Sequence, residues 1–385
     1  MTNLPLSGVV VVELGDSASA PFAGQALAGL GAEIWKVERP TGDSARGWGP
    51  SQWNGTSAAF HAINRGKRSI CLDIKNADDL ATLKALIRDH ADVFLHNLRP
   101  GSSGQYGLDP DSLRTMKPEL VYCQISAFGH AGPLRNDPGY DPLMQAFSGI
   151  MSITGEPDGL PVRAGVSIID FGSALWACIG ILSALYQRPG TGSGATVDAS
   201  LLETAIAWMT VGIANYNADG TPGARHGSGI SFIVPHRAFE TSDGSLIVSC
   251  ANDALFAKLS AALGHAEWAT DPRFATNAGR LANRAAIDQL IGAELRQHPR
   301  RHWQSRLGAA NVACAPVQTT AEVVASPQTQ ALDILRAAPG DDLALVGLPL
   351  LFDGVRPPPL SAAPVLGADN DALAERLAGG KKSPE

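Results

Sequence analysis

The chain has 385 residues, more than one hydrophobic core ordinarily organises, so a large domain and a smaller one are expected. Apolar residues make up 45% and charged residues 17%, which excludes a disordered chain or a coiled coil and fits a soluble globular enzyme. A net charge of −7 and an isoelectric point near 5.7 exclude a nucleic-acid binder that neutralises phosphates over a broad surface, while leaving room for a local basic pocket around one anionic ligand.

In chain order, Gly8–Leu14 is a valine-rich run that predicts a strand, Pro21–Leu30 has helical spacing, and Glu33–Glu38 predicts a second strand. This β-α-β start implies a parallel sheet with helices on its faces. The rhythm continues with a strand at Arg68–Ile74, a helix at Ala77–Arg88, a strand at Asp92–Leu95, a short helix at Asp111–Met116 and a strand at Leu120–Ile125. Phe171–Gln187 and Ala199–Asn215 predict two long helices, separated by the loop Gly190–Gly194. The texture then changes: Gly220–Gly229 is a linker, His236–Cys250 a hairpin around Asp243-Gly244, and helices follow at about 253–263, 280–296 and 299–308. The fold class is therefore α/β, a doubly wound Rossmann-like large domain with a smaller α+β domain. The expected divisions are 1–215 for the large domain, 216–235 for a linker, 236–325 for the small domain and 326–385 for a return into the large one. Pro316–Gln330 leads back, Asp371–Leu377 rejoins the large domain, and Gly379–Glu385 frays.

Five scattered cysteines, Cys71, Cys123, Cys178, Cys250 and Cys314, form no C-x-x-C pair and imply a reducing compartment. Residues 1–5 carry no basic segment, and the apolar run at 9–12 is cut by Glu13, so no signal peptide is expected. The longest uncharged run, 171–187, has 17 residues, fewer than the roughly 20 that span a bilayer, and predicts a core helix. A cytoplasmic protein with no membrane partner is expected. No H-E-x-x-H, Walker A, G-x-S-x-G or clustered Cys/His spacing is present, so no metal site is predicted.

Asp170 is a lone acid between Gly165-Val166-Ser167-Ile168-Ile169 and the apolar run that opens at Phe171. A carboxylate so placed must be hydrogen-bonded, neutralised or chemically employed. Its position predicts an N-cap, whose amide donors and helix dipole would keep it ionised and able to act as a nucleophile. Gly165, Gly172 and Ser173 predict low bulk around it. Arg39, Lys75 and Arg99 each follow a predicted strand, where open α/β sheets bind ligands, and Ser17–Ala20 precede a helix start suited to phosphate.

The text Gly139-Tyr140-Asp141, Gly149-Ile150-Met151-Ser152-Ile153-Thr154-Gly155 and Gly165–Asp170 resembles family III CoA transferases, the formyl-CoA transferase and carnitine CoA-transferase group, also called the CaiB–BaiF family. The resemblance is dense from Leu6 to Arg188, sparser from Pro235 to Val317, and returns at Ala363–Gly367. It implies that Asp170 is a nucleophile forming an aspartyl-acyl anhydride and then an aspartyl-CoA thioester, with Tyr140 and Asp141 as further catalytic residues. CoA or acyl-CoA would be a substrate, with no permanently bound cofactor. The implied CoA contacts are Ser17, Ala18, Arg39, Leu72, Lys75, Asn97 and Arg99, with Gln105 standing where some relatives have a basic residue. Asn64–Ser69 is a further family-like element, read as a loop near the sheet edge whose basic residues solubilise.

In the related α-methylacyl-CoA racemases the triplet resembles Gly-His-Asp; Tyr140 makes proton transfer the alternative and CoA transfer the first expectation. The glycine run of formyl-CoA transferases has only Gly227-Ser228-Gly229 as its nearest counterpart, which favours relatives that use succinyl-CoA with a dicarboxylic acid. His226, His236 and Arg237 are the candidate contacts to the acceptor carboxylate. The family also implies an interlocked homodimer. An NAD-dependent oxidoreductase is a second alternative, weakened because Gly15–Ala20 lacks G-x-G-x-x-G and places Asp16 where a pyrophosphate would lie.

Overall fold

A computed structural model of the chain describes residues 4–380, so the expected fraying of residues 381–385 lies outside the described residues. The chain divides into two compact units, Met1–Ser148 with Ala164–Val211 and Pro327–Glu385, and Gly149–Arg163 with Gly212–Ser326.

The first unit is built on six strands: β1 (Val10–Leu14), β2 (Glu33–Glu38), β3 (Lys67–Cys71), β4 (Val93–His96), β5 (Val121–Ser126) and β6 (Thr196–Ser200). Their order is β3-β2-β1-β4-β5-β6, and every pairing is parallel. The chain winds outward from β1 to β3, returns to the centre, and winds outward again from β4 to β6. The switch point, where ligands bind in such sheets, thus falls between β1 and β4. Valines 10 to 12 are buried on both faces because helices cover both. The connecting helices are α1 (Ser19–Gly29), α2 (Ala58–Asn64), α3 (Ala77–His90), α4 (Pro110–Met116), α5 (Asp141–Phe147), α6 (Ile168–Thr191) and α7 (Leu201–Trp208).

Three expectations are corrected in this unit. Ala199–Asn215 is not one helix: Thr196–Ser200 is the sixth strand, and α7 and a separate helix, Thr210–Asp219, follow. The strand was hidden because Thr196-Val197-Asp198-Ala199-Ser200 is short and not continuously apolar. Second, α6 has 24 residues, longer than the expected 171–187 at both ends and taking in the first two residues of the expected loop before Gly192 caps it, which gives it the length and hydropathy of a membrane-crossing helix. It packs on α1, α7, β5 and β6. Gly180 permits that approach: a Cβ there would lie 2.4 Å from Val197 Cγ1. Third, the strand expected at Arg68–Ile74 runs Lys67–Cys71 at the sheet edge, so Lys67, Arg68 and Ser69 of the expected solubilising loop Asn64–Ser69 lie on it, and its amides are satisfied by the returning C-terminal segment. Ser69 N donates to Asp369 Oδ2 (2.8 Å) and Cys71 N to Asn370 Oδ1 (2.8 Å). Side chains therefore cover the edge that β3 would otherwise expose.

The second unit carries an antiparallel sheet of His236–Thr241, Gly244–Ser249 and Ala313–Pro316, the middle strand being Gly244–Ser249. The hairpin turns at Asp243-Gly244, where Gly244 has φ +148°. Its core gathers Phe239, Leu246, Phe256, Ile287 and Trp303. Buried Arg280 ties it together, donating to the carbonyls of Val234 (2.6 Å) and Phe274 (2.8 Å) and pairing with Asp253 (2.8 Å). The division expected at 1–215 is also corrected, because residues 149–163 belong to this unit. Arg225 donates to the carbonyls of Glu156, Pro157 and Gly159, and Gly155 bridges to Gly227.

Candidate active site

The carboxyl ends of β1 to β5 open onto a cavity of about 850 Å³ in the first unit. Its wall is made by residues 14–19, 37–44, 72–75, 97–100 and 125–127, each stretch running on from a strand, together with residues 137–140, Asp170 and Leu201. Ser17, Ala18, Arg39, Leu72, Lys75, Asn97, Arg99, Tyr140 and Asp170 all line it. Gln105 does not: it lies exposed on the helical turn Ser102–Gln105. Asp141 does not either, being buried at 2% exposure behind the wall. His226, His236 and Arg237 belong to the second unit, where His236 Nδ1 meets Ser249 Oγ (2.7 Å) and Arg237 pairs with Asp288 (3.0 Å).

Asn97 shapes the loop after β1. Its Nδ2 donates to the Asp16 carbonyl (2.8 Å) and its Oδ1 accepts from the Asp16 amide (3.0 Å). Ser17 is thereby held at φ 72°, with its amide on Asp43 Oδ1 (3.1 Å). Arg39 pairs with Asp16 (3.1 Å) and donates to the Gly42 carbonyl (2.9 Å), whereas Lys75 and Arg99 are exposed at the cavity wall. These three cations suit the phosphates of an anionic nucleotide. His96 holds the next loop: the Leu98 amide donates to Nδ1 (3.2 Å), so Nε2 carries the proton and donates to Tyr122 Oη (2.6 Å). Burial pushes its pKa down to about 3, which keeps the ring neutral.

Beneath these loops lies a buried charge network that was not read from the sequence. Glu13 and Lys36 are register partners on β1 and β2, 3.1 Å apart. Glu13 also holds Lys67 (2.7 Å), and Lys36 reaches Asp43 (2.7 Å) and the Gly15 carbonyl (2.9 Å). Glu38 extends the set with Arg46 (2.7 Å), Ser69 Oγ (2.6 Å) and the Asp43 amide (3.0 Å). Despite burial, these donors hold the Glu38 and Asp43 carboxyls below their usual range, and the Glu13 and Asp43 carboxylates hold Lys36 above its own. For Lys67 burial outweighs Glu13, and its pKa falls to about 8. The available signal was an acid and two lysines at strand positions, in Val10-Val11-Val12-Glu13, Trp35-Lys36-Val37 and Lys67-Arg68-Ser69. In a parallel sheet covered on both faces, such residues have nowhere to go but toward each other.

Asp170 is not an N-cap. Helix α6 begins at Ile168, Ser167 occupies the cap without a side-chain bond, and Asp170 sits in the first turn. The cap comes from α5: Asp141 Oδ2 accepts from the amides of Ile169 (2.7 Å) and Asp170 (3.3 Å). Among the described residues the Asp170 carboxylate accepts no hydrogen bond and forms no ion pair. Burial, followed by repulsion from Asp141, raises its pKa from 3.8 to about 7. Magnitudes explain why the helix dipole does not hold the carboxyl at its ordinary pKa: the dipole contributes about 0.3–1 kcal/mol, while each pKa unit corresponds to about 1.4 kcal/mol. Gly172 and Ser173 do not clear space for a substrate. A Cβ on Gly172 would lie 2.7 Å from Trp208 Cζ2, and Ser173 Oγ bonds to Thr204 Oγ1 (2.8 Å), so both serve the packing of α6 on α7.

Residues 6–370 match the sequence model of CoA-transferase family III. The chain is 38% identical over 358 residues to the succinate–glutarate CoA-transferase of Agrobacterium fabrum, covering 90% of this chain and 89% of that one. It is 36% identical over 377 residues to the acetyl-CoA:oxalate CoA-transferase of Acetobacter aceti, covering 97% and 96%. The crystal structure of a CaiB/BaiF family protein from Brucella suis superposes with a TM-score of 0.89 at 38% identity, covering 98% of this chain and all of that one.

Proposed function

The chain belongs to CoA-transferase family III and is a CoA-transferase, and from that premise we propose that it moves CoA from succinyl-CoA to a dicarboxylic acid with Asp170 as the nucleophile. The observation that carries this reading is Asp170 itself, a carboxylate largely withdrawn from solvent yet without a hydrogen-bond or ion-pair partner among the described residues, at the wall of a cavity that Arg39, Lys75 and Arg99 also line. Asp170 attacks the donor carbonyl, the C–S bond breaks, and CoA thiolate leaves an aspartyl-acyl anhydride. The thiolate attacks the aspartyl carbonyl and frees the donor acid, giving the aspartyl-CoA thioester. The acceptor carboxylate then attacks that thioester, and the returning thiolate attacks the acyl carbonyl of the new anhydride, which restores Asp170. No net proton or electron is exchanged. Ser17, Ala18, Leu72 and Asn97 shape the CoA cradle. Tyr140, 61% exposed, lines the same cavity as Asp170, and Asp141 acts from behind as the cap.

The dicarboxylate rests on relatives named for succinate and glutarate, and the relative named for oxalate makes oxalate a second acceptor to assay. The interlocked homodimer is part of the same proposal. Leu175, Trp176 and Ile179 on α6, and Trp208 on α7, are 44–53% exposed in the single chain, an apolar face that a second copy would cover. The test is Asp170→Asn with succinyl-CoA and glutarate or oxalate. Exchange should fall by at least roughly 10⁴-fold, and mass spectrometry of the native protein with acyl-CoA and borohydride should label Asp170. Retained exchange overturns the reading. A raised pKa also suits acid–base work, so deuterium uptake by an α-methylacyl-CoA, without CoA exchange, would indicate a racemase instead.

A further inference from the structure

Gln145 is fully buried on α5, one turn after Asp141. Its Nε2 donates to Asp141 Oδ1, and its Oε1 accepts from the Ala164 amide (2.9 Å). The other oxygen of Asp141 takes the amides of Ile169 and Asp170. The amide side chain therefore joins two things: the carboxylate that caps the nucleophile's helix, and the backbone just before that helix. We propose that Gln145 is a positioning residue that fixes the first turn of α6 through Asp141 and Ala164, and so aims Asp170 at the thioester carbonyl.

The need for such a brace follows from what Asp170 lacks. Most nucleophiles are oriented by a neighbouring base or a hydrogen bond, yet the Asp170 carboxylate has no such partner among the described residues. Its direction is set by the backbone of the first turn alone. Ser167, at the cap position, contributes no side-chain bond, and Ile168 N reaches only the Val166 carbonyl (2.9 Å). Asp141 is thus the side chain that ties this turn down, and Gln145 is the group that holds Asp141 from the far side. A glutamine fits both partners at once, as its NH₂ meets a carboxylate and its carbonyl meets an amide. Glutamate would keep the second bond but set a carboxylate against Asp141. Methionine would fill the space and make neither.

The inference rests on the nucleophile reading, and the experiment separates the two. Steady-state exchange is measured for the wild type, Asp170→Asn, Gln145→Met and Gln145→Glu, with far-UV circular dichroism and the KM for succinyl-CoA taken alongside. Both Gln145 variants should keep the wild-type spectrum and KM within about twofold, while kcat falls on the order of 10- to 100-fold, the usual penalty for a misplaced reacting group. The loss should be at least as large for Gln145→Glu, although glutamate conserves shape. A merely space-filling role predicts Gln145→Glu near wild type, and that result overturns the proposal. So does an unchanged kcat in Gln145→Met, or a fall that only follows the loss of folded protein. If Asp170→Asn retains exchange, the nucleophile reading fails first; if it loses exchange while Gln145→Met does not, only the positioning role fails.

Discussion

Two groups of buried charge meet the same cavity and are built on opposite terms. Under the β1 and β2 loops, Glu13, Lys36, Lys67, Asp43, Glu38 and Arg46 alternate in sign and satisfy one another. At the start of α6, Asp170 and Asp141 are both acids, and among the described residues neither forms an ion pair. The first arrangement pulls carboxyl pKa values down and makes a paired floor beneath the loops that follow β1 and β2. The second pushes a carboxyl up to about 7 and leaves it without a partner among the described residues. Compensation marks the scaffold and its absence marks the proposed nucleophile, which is the pattern expected where perturbed groups gather at a functional site.

The largest effect is expected at Glu13. Glu13→Gln strands Lys67 as a buried cation, and removing one member of a buried pair costs about 3–5 kcal/mol. Urea unfolding should show that loss. Gly24→Ala should resemble it, because a Cβ there would lie 1.8 Å from Glu13 Oε2. A double variant, Glu13→Leu with Lys67→Met, should recover part of the stability, since it removes the stranded cation while Lys36 keeps Asp43 (2.7 Å). A loss under about 1 kcal/mol in the single variant would mean that the network does not hold the floor.

The opposite sign is expected at Asp170. Its folded pKa is raised above the unfolded 3.8 to about 7, so the folded state binds the proton more tightly. Stability is then lost as pH rises between those values, with the full penalty above 7 and none below about 4. Asp170→Asn should therefore stabilise the protein by about 1–3 kcal/mol at pH 8, with the gain vanishing near pH 4. Thermal unfolding at the two pH values measures it, and destabilisation at pH 8 would place a compensating partner on Asp170.

The scaffold was largely legible in the sequence, and so was the wall of the cavity. The β-α-β rhythm up to β5 follows from apolar periodicity, and Asp170 stood out because an acid in an apolar run has few excuses. What periodicity could not give were contacts across strands and helices. Lys67 looked like one of three surface bases in Asn64–Ser69 until β3 paired with β2 and placed it on Glu13. Asp170 looked like a cap because caps are usually local in sequence, and here the cap arrives from Asp141, 29 residues earlier. Gly172 looked like space for a substrate because the sequence does not say that Trp208 packs there.

Asp141→Asn gives the smallest and most discriminating effect. The substitution removes the like charge while leaving an oxygen able to accept from Ile169 and Asp170. Since burial is the larger cause of the raised Asp170 pKa and Asp141 the second, the value should fall but remain above 3.8. A carboxylate nucleophile acts only when ionised, so wild-type kcat/KM should decline as pH drops through about 7. In Asp141→Asn that decline should begin at lower pH. The ratio of kcat/KM at pH 6 to that at pH 8 should therefore rise, even if the plateau falls because the cap is weaker. An unchanged ratio would mean that burial alone tunes Asp170, and that Asp141 serves the helix and not the charge.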